Sequence, residues 1–224
     1  MSFVRQGIKS VCKAVVPRRM FLTHGPVSPT AAGLFPGRQE IALTFDDGPE
    51  PETTPKLLGL LEKWRITATF FVIGEKAARH RDIVQRIVAA GHGLGNHSYT
   101  HSEPHQTSTS HFLDEVRKTR DLLEEISNQP CTLVRPPKGM LSVGKQLGLW
   151  RERMTVALWN TDPRDYQMRS QQQAMEWAGA YQPRSGDIIL LHDNHPWAGH
   201  IVEALATDSG HMDRVSYVRL SEWV

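Results

Sequence analysis

Apolar residues along this chain fall into short β-like runs separated by helical stripes, and the alternation sets in at Glu40. Ile41-Ala42-Leu43-Thr44-Phe45 is β-branched and aromatic and reads as a buried strand. Thr53 to Trp64 carries Leu57, Leu58, Leu60 and Leu61 on one face with Pro55 in its first turn, which predicts a helix. Ala68 to Ile73 reads as a second buried strand ended by Gly74, and Arg81 to Ala90 as a helix capped by Gly91. A short glycine-rich strand is expected around Gly93 to Asn96, then a helix from His111 to Ile126 and a strand at Thr132-Leu133-Val134. Helices over Leu141 to Trp150, Gln171 to Tyr181 and Ile201 to Ala206 alternate with strands over Met154 to Trp159, Asp187 to Leu191 and Val215 to Val218. Such alternation predicts an α/β fold of parallel strands joined by crossover helices. Periodicity alone does not choose between a barrel and an open doubly wound sheet.

Before Glu40 the pattern changes. Residues 1–38 hold Arg5, Lys9, Lys13, Arg18, Arg19 and Arg38 and no acid, while Val4, Ile8, Val11 and Val15 recur at helical spacing. The stretch reads as a basic extension, an amphipathic helix followed by a Pro- and Gly-rich loop, ahead of one domain over residues 39–224. Lys9 and Lys13 break every apolar run before it reaches the length of an export signal or the ~20 residues of a membrane span. The expected location is therefore the cytoplasm or the inner face of the membrane. Packing of the helix on the main domain is the expected arrangement, and docking of residues 1–20 on an anionic membrane is its alternative.

With 224 residues and 39% hydrophobic content, the chain can bury one substantial core. A net charge of +2 lacks the strong positive field of a nucleic-acid binder, so no nucleic-acid partner is expected. Cys12 and Cys131 lie far apart, match no zinc spacing and are read as free thiols. Oligomeric state leaves no mark in the sequence.

The candidate chemistry gathers at predicted strand ends. Asp46 and Asp47 close the first strand before Gly48-Pro49. Regular alternation would send them to opposite faces, but a strand end can relax and leave both near one cation. A solvated Asp-Gly turn is the plain alternative. His97 and His101 share a face if their segment makes a helical turn, and two imidazoles with a carboxylate form a catalytic zinc set. Among 11 histidines a pair at this spacing is weak by itself. Arg135, Asp165 and His192 also follow predicted strand ends, where parallel α/β folds collect functional side chains. Singly they read as a surface arginine, a helix cap and a buried histidine. Their joint occurrence, in this order, does not.

The order Thr44-Phe45-Asp46-Asp47-Gly48-Pro49, His97-Ser98-Tyr99-Thr100-His101, Arg135-Pro136-Pro137-Lys138-Gly139, Asp162-Pro163-Arg164-Asp165-Tyr166 and Leu190-Leu191-His192 resembles the polysaccharide deacetylases. These carry the NodB-homology domain of carbohydrate esterase family 4. The likeness runs from about Glu40 to near the C-terminus. It implies a distorted (β/α)7 barrel with parallel strands and, over residues 39–224, a catalytic domain that removes N-acetyl groups from an acetylated glycan. It implies a divalent metal held by Asp47, His97 and His101: zinc, with cobalt, manganese or nickel as alternatives. It makes Asp46 the catalytic base, His192 the acid, Arg135 the residue that orients Asp46, and Asp165 the residue that tunes Arg135 and His192. Leu190 would line the pocket for the acetyl methyl. Lys138 stands where the family commonly has an aromatic, and Tyr166 where it has Trp, so these substrate-binding positions imply a changed sugar platform. The short stretch after His192 implies a trimmed C-terminal part of the barrel.

Two other readings stay open at this level. One is a glycan O-acetyl esterase of the same fold. The other is a carbohydrate-binding protein that keeps the barrel without turnover, which the presence of the whole residue set disfavours.

Overall fold

The computed structural model describes residues 19–26 and 37–224. The expected helix through Val4, Ile8, Val11 and Val15, Cys12, and nearly all of the 1–20 segment read as a membrane-docking element lie outside them. No helix among the described residues is long and apolar enough to cross a membrane.

Among the described residues, eight parallel strands form the sheet. They are β1 (Phe21–Leu22), β2 (Gln39–Asp46), β3 (Ala68–Val72), β4 (Gly93–Asn96), β5 (Leu133–Val134), β6 (Thr155–Ala157), β7 (Ile188–His192) and β8 (Val215–Tyr217). Their order is β1-β6-β5-β4-β3-β2-β7, with β8 pairing the start of β2. The edges of this path meet: Gly25 donates to the Gly186 carbonyl at 2.8 Å, and the chain beyond β6 bridges β7 through Thr161 and Ile189. The result is a distorted (β/α)7 barrel, closed below by the short β1 and above by direct contact of the β6 and β7 ends.

Alternation divides the strand residues between an inward cluster and outward ones. Ile41, Leu43 and Phe45 of β2, Phe70 and Val72 of β3, and Ile189 and Leu191 of β7 pack outward against surrounding helices. Those helices include α1 (Thr54–Trp64), α6 (Gln171–Ala180) and α7 (Trp197–Thr207). Leu22, Ala42, Phe71, Ala157 and Ile188 form the inward cluster. Thr44 and Asp46 lie two and four residues beyond Ala42 on the same inward face, as Leu190 and His192 do beyond Ile188.

Strand register then sets which chain ends meet. Asp46 is paired with His192, and Asn96 with Val134, so Asp46 lies beside His192 and His97 beside Arg135.

The elements departing from the sequence reading are short or masked by composition. Phe21–Leu22 belongs to the stretch read as extension, yet it pairs with Val156 and Ala157 as a barrel strand. Val215–Val218, expected as the last strand, is seen as β8, which pairs the start of β2 off the closed path. Two helices were not anticipated, α2 (Gly74–Arg79) and α8 (Ser209–Arg214); between them lie α3 (Arg81–Ala89), α4 (Thr109–Ser127) and α5 (Val143–Arg151). Gly74 starts a helix where the strand was expected to end, and α7 begins at Trp197, before the first apolar spacing visible in the sequence. The C-terminal part is therefore fuller than expected.

Candidate active site

Asp47 leaves β2 with φ 74°, a left-handed conformation that aspartate tolerates better than most residues. That turn brings its side chain back toward Asp46 instead of to the opposite face. Asp47 Oδ1 lies 3.4 Å from His97 Nε2 and 3.4 Å from His101 Nε2. The two imidazole rings stand 4.9 Å apart. They do not meet through a helical turn, as the spacing suggested. Ser98 and His101 are both left-handed, with φ 61° and 55°, and the Ser98 hydroxyl accepts the His101 N–H at 3.1 Å.

These residues fit a divalent cation. His97 Nδ1 sits 2.7 Å from the Arg135 carbonyl, which can only accept, so the proton is on Nδ1 and the Nε2 lone pair faces Asp47. Asp47 Oδ1 is buried without a hydrogen-bond partner among the described residues. One ligand atom from each of the three side chains falls within 4.8 Å of the others. Burial works against charge on Asp47, yet His97 and His101 outweigh it and hold the carboxyl below its usual range. Burial likewise opposes a proton on His97, but Asp46 and Asp47 prevail and raise its pKa; burial and His97 lower that of His101. The site favours positive charge that both imidazoles can share, and a cation answers that where one proton does not.

Asp46 is held from the other side. Arg135, fully buried, donates from Nη1 to Asp46 Oδ1 at 2.7 Å and to Thr44 Oγ1 at 2.8 Å. Its Nε and Nη2 donate to the Ala157 and Leu158 carbonyls, each at 3.0 Å, and its guanidinium lies 4.1 Å from the Phe71 ring centre. Burial lowers its pKa and Asp46 works against that loss. Thr44 donates onward to the Ile189 carbonyl at 2.7 Å. Thr44 was missed as a site residue, although its place two before Asp46 puts both on one strand face.

His192 Nδ1 donates to Asp165 Oδ1 at 2.8 Å, while its backbone N–H donates to Asp165 Oδ2 at 2.7 Å. Asp165 is fully buried and also accepts the Tyr166 N–H. Burial disfavours the imidazolium, but Asp165 more than compensates and the pKa is pushed up to about 9. Asp165 was expected to tune Arg135 as well; its oxygens are instead taken by His192 and Tyr166. Asp165, His192 and His195 also lie within ligand distance of one another. Because both Asp165 oxygens already accept hydrogen bonds, this trio reads as a proton-holding pair with a neighbour.

A cavity of about 430 Å³ joins these groups, with Trp159 and Leu190 in its lining. Leu190 is buried in the wall. Tyr166 is half exposed at the rim, its ring edge-on to His192 at 5.2 Å. Lys138 reaches Glu103 in an ion pair at the mouth. Asn194, whose amide donates to Asp47 Oδ2 at 3.3 Å, was not foreseen, and no pattern in the sequence marks it.

A family model described as polysaccharide deacetylase matches residues 36–148. The peptidoglycan-N-acetylmuramic acid deacetylase PdaC of Bacillus subtilis is 37% identical over 158 residues, 70% of this chain and 33% of that protein. A peptidoglycan-N-acetylglucosamine deacetylase of Bacillus cereus is 33% identical over 178 residues, 78% of this chain and 58% of that protein. This chain thus spans about a third and somewhat over half of the two relatives' lengths. The solved structure of peptidoglycan deacetylase PdaC from Bacillus subtilis superposes with TM-score 0.77 at 31% identity, covering 85% of this chain and 92% of that one.

Proposed function

This chain belongs to the polysaccharide deacetylase family, and from that premise we propose that it is a metal-dependent hydrolase removing N-acetyl groups from N-acetylhexosamine residues of a glycan. The substrate class we favour is a peptidoglycan-like or chitin-like oligo- or polysaccharide, in line with what the relatives are named for. The observation that carries the reading is the meeting of Asp47, His97 and His101 beside two hydrogen-bonded pairs, Asp46 with Arg135 and His192 with Asp165.

Asp47, His97 and His101 would hold the metal, and we propose zinc, which suits two imidazoles and a carboxylate with one position left open. When bound, such a cation supplies Lewis-acid polarisation of the acetyl carbonyl and lowers the pKa of water at the site. Asp46 acts as base on the attacking water. Arg135 fixes its Oδ1, and Oδ2, 3.7 Å from His97 Nε2, faces the centre. His192 is the acid: Asp165 holds Nδ1, so Nε2 carries the proton given to the departing amine. A histidine with its pKa near 9 is protonated at neutral pH, as that step requires. Leu190 walls the space for the acetyl methyl, while Lys138 and Tyr166 contact the sugar.

Acetate release from acetylated chitooligosaccharides and from peptidoglycan fragments, with and without chelator, tests the reading. Release that chelator abolishes and metal restores is the expected result. Metal-replete protein that frees no acetate from either would sink it. An acetylxylan control separates amide from ester cleavage.

A further inference from the structure

Asp193 is a buried polar group that the chemistry above does not use. It follows His192 at the end of β7 and is 1% exposed. Its backbone N–H donates to the Asp46 carbonyl at 3.2 Å, which extends the β2–β7 pairing one step beyond the strands. Its backbone carbonyl accepts from the Thr53 hydroxyl. Its Oδ2 accepts from the Thr54 hydroxyl at 2.6 Å, and the same Thr54 oxygen accepts the Glu50 N–H at 2.7 Å. Both ends of the Asp46–Thr54 segment are thereby tied to one residue just beyond β7.

The carboxyl group also lies against Gly48. A Cβ on residue 48 would stand 2.2 Å from Asp193 Oδ2, 2.4 Å from Oδ1 and 2.6 Å from Cγ, distances at which atoms cannot coexist. Asp193 therefore occupies the room that a side chain next to Asp47 would need. Its Oδ1 has no hydrogen-bond partner among the described residues, a desolvation cost that an apolar residue of similar size would not carry. A residue chosen for stability alone would avoid that cost.

We propose that Asp193 is a positioning residue for the metal-binding turn: it wedges beneath Gly48 and fixes the Asp46–Gly48 backbone to the end of β7, so that Asp47 is presented to His97 and His101. This rests on reading those three residues as metal ligands. Partners of this kind set ligand orientation, and their loss typically weakens metal binding about 10- to 100-fold.

The test measures zinc affinity of the full chain by chelator competition, together with the visible spectrum of the Co2+-loaded protein. Asp193→Ala is expected to weaken zinc about 10- to 100-fold and to alter the Co2+ spectrum. Asp193→Asn keeps the shape and the acceptor for Thr54, so it should stay within about threefold of the parent, a rescue that mere bulk in the core would not need. Gly48→Ala should weaken metal in the parent, yet cost less in the Asp193→Ala background, where the new methyl has room. Parent affinity and spectrum in Asp193→Ala, or losses from the two substitutions that simply multiply, would overturn the proposal. If Asp193→Ala does not fold, Thr54→Val decides, with weaker zinc expected and unchanged zinc overturning it. Parent protein that binds no metal removes the ligand reading and this inference together. Parent protein that binds metal but releases no acetate removes only the deacetylase reading.

Discussion

On one side of the cavity, Asp46 and His192 leave β2 and β7 in direct register, and each is held by a buried partner at 2.7–2.8 Å. On the other side, Asp47, His97 and His101 leave strand ends on turns that include left-handed residues and approach one another only to 3.4 Å. The acid–base side is completed within the protein, by Arg135 and Asp165. The ligand side sets negative charge and imidazole lone pairs toward a common point, a condition that a cation satisfies and protein hydrogen bonds do not. In the proposed reading, the groups that hold protons are tied to strands, while those that would surround an ion stand on turns beyond the strand ends.

Substitutions on the ligand side should break this contrast most severely. Asp47→Ala, His97→Ala and His101→Ala are each expected to lose metal and activity together, by about 10³-fold or more, since a catalytic metal supplies several kcal/mol at the transition state. Metal analysis of the purified variants checks this, and stoichiometric zinc in all three would refute the ligand assignment. Asp46→Asn should keep its metal and lose about 10²- to 10⁴-fold in kcat, as removal of a general base does.

On the acid–base side, Arg135→Met leaves Asp46 buried without its partner. Breaking such a pair costs about 3–5 kcal/mol, so denaturant melts should show a loss of that order even without metal. A loss below ~1 kcal/mol would mean that the pair is not the brace inferred here. Metal itself should separate the sides more gently. At a hundredfold excess over its Kd, zinc should add about 2.7 kcal/mol to the stability of the parent and of Arg135→Met, and none to that of Asp47→Ala.

The smallest effect is a shift in pH dependence. The pKa of His192 is raised from 6.5 to about 9 in the folded protein, chiefly against burial and by Asp165. Its contribution to stability is full below about 6.5 and is lost as the pH rises through about 9. Asp165→Asn should therefore move the alkaline limb of kcat/KM to lower pH by about one to two units, with metal affinity unchanged. An unmoved limb would show that His192 is not the acid.

Much of this division could be read from the sequence, because the chemistry lies in side chains that follow recognisable apolar runs. Ile41 to Phe45 and Asp187 to Leu191 locate Asp46 and His192 within a residue or two of their observed strand ends. Backbone conformation was less legible. His97 and His101 suggested one helical turn, whereas Ser98 and His101 reach the same meeting point through φ values that spacing does not encode. Phe21–Leu22 is too short for any periodicity, and its place beside β6 depends on a pairing more than 130 residues away in sequence. Asp165 was expected to serve both Arg135 and His192, and only the packing of the loop after β6 turns it to His192. Asn194 and Asp193 act through contacts that no local pattern announces.

Arg135 donates two of its hydrogen bonds to main-chain carbonyls, those of Ala157 and Leu158. Every residue type provides that acceptor. Substitutions at 157 and 158 that preserve the strand path therefore leave those two anchor points of Arg135 intact. Lys138 and Tyr166 stand on exposed turns beyond these anchors. Under the proposed function, substitutions at such rim positions would retune the contact with the glycan and leave the residues beneath in place.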